Sequence, residues 1–277
     1  MKTILVATDF SEAAHNAALY GIELARAFDA RLMLFNSYQP VPIVMDVAPV
    51  TAPWEMLSQM TNNNLQQEEA FINPGHEVPV LTGFDEALSA ENAILQAAAD
   101  IGAQLIIVGM KANHRGMRTL FGSTVTALAQ KTTIPVLVVP ENTVYHPIVN
   151  IALANESDLA PQADYASLNS IYDIATHFHS RLYLVRVAER EYRESCEVQR
   201  PPVQLSQALR SLHPLYQCME GADVATALQQ FIATRNIQLL AVMPHKLSRL
   251  ERWFVRSVTR HIIFNINVPL LVLPNMM

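Results

Sequence analysis

The 277-residue chain has two cysteines, eight glycines and only 16 % charged side chains. Cys196 and Cys218 both lie in the second half without metal-ligand spacing, so a zinc module is excluded and free thiols in a reducing compartment are expected. No apolar run reaches the roughly 18 residues that cross a bilayer. The opening Met1-Lys2-Thr3-Ile4 lacks the regions of a signal peptide. A cytoplasmic protein with no membrane partner is the expectation. No Gly-x-Ser-x-Gly elbow or cysteine–histidine pair offers a nucleophile, and no Gly-Lys-Ser/Thr ending marks a P-loop. No catalytic residue is assigned, and the chain is not read as an enzyme. There is also no basic face. Residues 1–140 carry 7 Lys/Arg against 13 Asp/Glu, and residues 141–277 carry 12 of each, for a net charge of −6. That balance excludes nucleic acid as a main partner.

The chain does contain a repeat. Leu105-Ile106-Ile107-Val108-Gly109, then Gly122-Ser123, then Ile134-Pro135-Val136-Leu137-Val138-Val139-Pro140 match a second series. That series is Leu239-Leu240-Ala241-Val242-Met243, Arg256-Ser257 and Val268-Pro269-Leu270-Leu271-Val272-Leu273-Pro274. Adding 134 to a position in the first series gives its counterpart. The sequence is therefore a duplication of one α/β unit, with copies over 1–140 and 147–277 joined by Glu141 to Pro147.

Each copy alternates short apolar runs with helical patterns, which predicts a parallel sheet covered on both faces. In the first copy the strands are Ile4–Ala7, Arg31–Phe35, Val78–Leu81, Leu105–Val108 and Val136–Val139. The helices start after Ser11, whose hydroxyl suits an N-cap, and cover 55–72, Ala90–Ile101 and Ser123–Lys131. A Pro-rich apolar segment at 40–54 cannot be regular helix and reads as a lid or partner contact. In the second copy the strands are Ile148–Ala154, Arg181–Val187, 215–219, Leu239–Val242 and the closing run. Its helices are Ala163–His177, 203–213, Val224–Thr234 and one from Ser257. Pro135 and Pro269 open the two last strands, whose exposed edges would invite aggregation. Antiparallel pairing of Val136–Val139 with Leu270–Leu273 would cover both and make an internal pseudo-dimer. A homodimer of the whole chain is also open.

Gly109 ends an apolar strand at its carboxyl edge, where open α/β sheets bind ligands, and glycine there would let a ligand approach the backbone. Gly122-Ser123-Thr124 opens a helix whose first amides lack intrahelical partners and favour an anion. Lys111, His114, Arg115 and Arg118 are a basic cluster in the loop between. The pattern suits a phosphate, and equally a glycine turn with a serine cap and a solvated loop. His177 and His179 lie too close in sequence to share a helix face and are not metal ligands. Asp164 and Asp173 read as surface charges.

These residues resemble the universal stress protein family in its tandem form. Its signature of Gly, two residues, Gly, nine residues, Gly and Ser/Thr reads here Gly109, Met110-Lys111, Ala112, Asn113 to Phe121, Gly122-Ser123. Ile4 to Ser11 is similar to the family's first strand and acidic turn. The resemblance implies two Rossmann-like sheets of strand order 3-2-1-4-5. It implies one adenine nucleotide per chain, usually ATP, across the switch point between strands 1 and 4. Thr8 and Asp9 would end strand 1, with Asp9 facing the ribose or a magnesium ion on the phosphates. Asn36 and Ser37 would border the adenine. Gly109, Lys111, Ala112, Gly122, Ser123 and Thr124 would hold ribose and phosphates. Ala112 departs from the signature, and alanine disfavours positive φ by about 1–2 kcal/mol. In the second copy Met243, Lys246 and Arg256 replace the glycines, Ser257 stays, and Glu156 is the counterpart of the acidic residue. That copy is expected to bind no nucleotide. The implied role is a stress-response regulator acting through protein partners. A scaffold without nucleotide is the alternative, and a slow ATP hydrolase ranks last because no base is in evidence.

Overall fold

The computed structural model describes residues 1–38, 53–111, 123–154, 168–188, 203–220, 224–243 and 268–274. Most of 40–54, and Ala112, Gly122, Glu156, Asp164, Lys246, Arg256 and Ser257, lie outside them.

The first copy builds β1 (Thr3–Ala7), α1 (Glu12–Phe28), β2 (Arg31–Tyr38), α2 (Pro53–Ile72), β3 (Val80–Glu86), α3 (Ala90–Asp100), β4 (Leu105–Met110), α4 (Ser123–Lys131) and β5 (Val136–Pro140). The second builds β6 (Asn150–Ala154), α5 (Asn169–His177), β7 (Arg181–Ala188), α6 (Val203–Ala208), a 3-10 turn (Arg210–Leu212), β8 (Leu215–Glu220), α7 (Val224–Arg235), β9 (Leu239–Val242) and β10 (Leu270–Val272). Ser11 caps α1, its hydroxyl accepting from Ala14 N at 3.3 Å. The α1 carboxyl end closes on Asp29 in the left-handed conformation.

All ten strands form one sheet of order β3-β2-β1-β4-β5-β10-β9-β6-β7-β8. Each half is parallel with the order 3-2-1-4-5, and one antiparallel seam joins them. At the seam Leu271 sits opposite Leu137, with Leu270 on Val138 and Val272 on Val136. Leu271 is the repeat equivalent of Leu137, so a pseudo-two-fold axis passes through this pair, as in a symmetric dimer interface. A second isologous contact lies where α1 meets α5. Phe28 and Phe178 each precede a left-handed residue, Asp29 (φ 50°) and His179 (φ 51°). The two rings meet edge to face at 5.6 Å, and His177 stacks on Phe28 at 4.3 Å. His177 is thus a packing residue. Asp173 is a half-exposed charge on α5, as expected, and its carboxylate lies 3.8 Å from the amino terminus, an ion pair between the halves.

Strand alternation puts Ile4, Val6, Leu32 and Leu34 in one apolar cluster, with α1 and α2 over them. Leu5, Phe35, Ile106 and Val108 face the other way, with α3 and α4. Three expectations need correction. Strand β3 begins at Val80, not Val78, and runs to Glu86, because it pairs with all of β2 from Leu32↔Val80 to Tyr38↔Glu86. Its polar residues and exposed edge hid that length. The 203–213 helix is interrupted, becoming the six-residue α6 and a 3-10 turn. Cys218, on β8, is disulfide-bonded rather than free, since sequence spacing says nothing of distance in the fold.

Candidate functional site

In the first half the helices change face between β1 and β4, and the carboxyl ends of β1, β2 and β4 share one edge. This is the switch point at which open sheets bind ligands. The ends of β1 and β2 are laced together. Thr8 N donates to Phe35 O at 2.9 Å, and the buried Asn36 returns Nδ2 to Thr8 O at 2.7 Å. The turn that follows holds itself. Thr8 Oγ1 accepts from Phe10 N at 3.0 Å, and Asp9 Oδ1 accepts from Ser11 N at 3.0 Å. These bonds keep Phe10 at φ 59°, uncommon for a side chain of its size. The Asp9 carboxylate is exposed at the rim.

Ser37 follows Asn36. Its Oγ is buried and has no hydrogen-bond partner among the described residues. A hydroxyl left in that state costs roughly 1–3 kcal/mol. Beside it Tyr38 and Phe84 pair at 6.2 Å. The Tyr38 phenol is held above its ordinary pKa by burial, then by the carboxylates of Glu86 and Asp85.

Gly109 has a role the sequence reading missed. A β-carbon here would lie 2.3 Å from Ala13 O and 2.7 Å from Ala14 N. The space at Gly109 belongs to the first turn of α1, which rests directly on the strand. The glycine thus seats the helix that carries the Asp9–Ser11 turn, and no ligand is needed to explain it. Only a helix position, absent from a linear reading, reveals this. Lys111 is exposed, Ser123 starts α4 and Thr124 is half-buried behind it. The structure thus brings Thr8, Asp9, Asn36, Ser37 and Gly109 to one edge, with the amino end of α4 on the α3 side. Helix α1 also reaches the linker. Asn16 Nδ2 donates to Pro140 O at 2.9 Å and Thr143 O at 3.0 Å, and Tyr20 meets Tyr145 edge to face at 5.2 Å.

Among the described residues no group of His, Cys, Asp and Glu is placed to hold a metal ion by itself. No helix among them is long and apolar enough to cross a membrane. A depression of about 680 Å³ lined by Lys2, Asp29, Arg31 and Gln104 lies at the opposite edge of the sheet. Its Arg31 is committed to Thr3 Oγ1 at 2.8 Å and Ile101 O at 3.0 Å.

Comparison with known proteins agrees with this architecture. The model of the universal stress protein family matches residues 1–140. A universal stress protein of Methanocaldococcus jannaschii is 28 % identical over 141 residues, covering 50 % of this chain and 81 % of that one. A solved universal stress protein from Archaeoglobus fulgidus superposes over 98 % of both chains with a TM-score of 0.71 at 12 % identity. A Pseudomonas aeruginosa structure covers 99 % of this chain and 94 % of its own, with a TM-score of 0.55 at 14 % identity. These two likenesses speak for the fold alone. The family match falls on the half whose strand ends and α1 turn share the carboxyl edge of the sheet, and from it the chain belongs to the universal stress protein family.

Proposed function

We propose that the first half binds one adenine nucleotide, ATP in the first instance, and that the protein acts as a nucleotide-controlled regulator through protein partners in the cytoplasm. The observation that carries this is the buried Ser37 Oγ without a partner, at the carboxyl end of β2. It lies beside Thr8 and Asn36, whose own bonds are satisfied. Buried polar groups are seldom left without a partner, and a nucleotide base at the switch point would supply one. Asp9 at the rim would face the ribose or a magnesium ion on the phosphates. Lys111 and the first amides of α4, with Ser123 and Thr124, would meet the phosphates. A bound nucleotide would supply the charge and shape that partners read. We propose that hydrolysis is slow or absent, in keeping with the lack, among the described residues of this edge, of a base aimed at an attacking water.

A second reading, a scaffold that binds no nucleotide, draws on Gly109. The packing of α1 accounts for that glycine without a ligand. Mass spectrometry of small molecules released from the purified, denatured chain decides between them. Adenine nucleotide at up to one equivalent supports the first reading, and none, with no heat on titrating ATP, supports the second.

A further inference from the structure

We propose that the outer edge of β8 is a docking surface for a second copy of this chain, joined by antiparallel pairing of β8 with its own equivalent across a two-fold axis. The sheet ends on β3 at one side and on β8 at the other. An outer strand presents a row of amide and carbonyl groups that another chain can extend. Proteins blunt such edges with charge, or with residues that weaken the strand. The repeat lets the two edges be compared residue by residue, because the offset of 134 lays β3 on β8. Leu81 corresponds to Leu215, Gly83 to Gln217 and Asp85 to Met219.

The two leucines hold the same place. Leu81 pairs with Met33 and Leu215 with Tyr183, and they are 52 % and 47 % exposed. Both leave the sheet by the face that buries Phe35 in the first half and Tyr183 in the second. What surrounds them differs. Strand β3 has a glycine at its centre and ends on the exposed Asp85 and Glu86. In β8 the run Leu215-Tyr216-Gln217-Cys218-Met219 holds neither charge nor glycine. Tyr216, next to Leu215, is 51 % exposed. Tyrosine favours strands, whereas glycine and aspartate do not. The second copy has lost the devices that keep β3 from pairing.

The same comparison names the occupant. Pairing β8 with β3 of another chain would lay the acidic end of β3 on an uncharged run and leave both ends of the array open. Pairing β8 with β8 closes after two copies. About Gln217, Leu215 of each copy faces Met219 of the other on one face of the sheet, and no like charges meet. The contact repeats outside the molecule the antiparallel seam that β5 and β10 make within it. A strand of six residues is too short to supply the roughly 800 Å² per partner of a standard complex. The association is therefore weak and set by concentration.

The experiment is sedimentation velocity of the full chain over a range of concentrations. The wild-type mass should rise from that of one chain toward that of two and stop there. Leu215→Lys and Tyr216→Lys should each raise the dissociation constant about tenfold or more. Leu81→Lys, the same change at the other edge, should leave it as in the wild type. A single-chain mass at every concentration would overturn the proposal. So would a dimer that Leu215→Lys and Tyr216→Lys leave intact, or one that Leu81→Lys weakens as much, since the contact would then lie elsewhere. Growth past two chains would overturn the two-fold pairing. If Leu215→Lys fails to fold by circular dichroism, the wild-type series and Tyr216→Lys still decide.

Discussion

The amino and carboxyl edges of the sheet compare differently between the two halves. At the amino edge the halves share main-chain bonds at equivalent positions. Gln104 N donates to Thr3 O at 2.9 Å, and Gln238 N to Asn150 O at 3.0 Å. Arg31 N donates to Lys2 O at 3.0 Å, and Arg181 N to Val149 O at 2.8 Å. Ile106 N donates to Pro135 O, and Leu240 N to Pro269 O, both at 3.0 Å. At the carboxyl edge the halves part. Gly109 lies under the first turn of α1, while its counterpart Met243 is a half-buried side chain packed on the core. These shared bonds at the amino edge hold the strands in register in both halves. The carboxyl edge is where the two copies diverged without changing the sheet, which is the separation of framework from site expected of a duplicated α/β unit.

The sharpest break of that comparison is to make the first half like the second. Gly109→Met should cost about 3 kcal/mol or more, since its side chain must displace helix backbone rather than a flexible neighbour. Met243→Gly should cost about 1 kcal/mol from lost packing and added chain freedom. Urea unfolding of both variants measures the asymmetry, and equal costs would remove it. The seam tests what the halves share. Leu137→Ala and Leu271→Ala, both at buried positions, should each cost roughly 2–5 kcal/mol. By the pseudo-two-fold the two costs should be similar, and the double variant should fall short of their sum because the side chains touch one void. A large difference between them would mean that the axis does not govern packing.

Ligand binding sharpens the comparison at the site. Saturating ATP should give one equivalent per chain. Gly122→Arg, which copies Arg256, should abolish the calorimetric signal with the far-ultraviolet spectrum unchanged. Asp9→Ala should weaken magnesium-ATP more than adenosine. Two equivalents per chain would show that Met243, Lys246 and Arg256 remodelled the second site without closing it. The smallest effect belongs to Ser37→Ala. Removing an unpartnered buried hydroxyl should leave the ligand-free protein unchanged or more stable by up to about 1 kcal/mol, read as its thermal midpoint. A clear loss would mean that Ser37 has a structural partner after all.

Tyr145 adds a pH dependence at the linker. Burial, then the Glu23 carboxylate, pushes its phenol up to about 12. A pKa raised on folding favours the neutral form. Its contribution to stability is complete below pH 10 and is lost as pH rises toward 12. Tyr145→Phe should flatten that part of the curve measured by denaturant titration.

Much of this was written in the sequence, and for a physical reason. Apolar runs bounded by turn residues gave the strands, because a strand buried on both faces leaves no polar position. The constant offset of 134 gave the duplication and named Leu137 and Leu271 as equivalents. The need to hide two apolar edges then gave the antiparallel seam. The positions of Thr8, Asp9, Asn36, Ser37 and Gly109 at strand ends followed from the same runs and from the signature. What the sequence left open depends on contacts between residues far apart in the chain. Only packing showed that the room at Gly109 is taken by the backbone of Ala13, because a glycine looks the same whether a ligand or a helix needs its space. Only register put Asp85 beside Ser37, since β3 is an exposed edge strand with no periodicity to extend it to Glu86. The same is true of the Phe28–Phe178 contact and the disulfide at Cys218. Local pattern follows from which residues must avoid water, whereas the tertiary structure decides which of them meet.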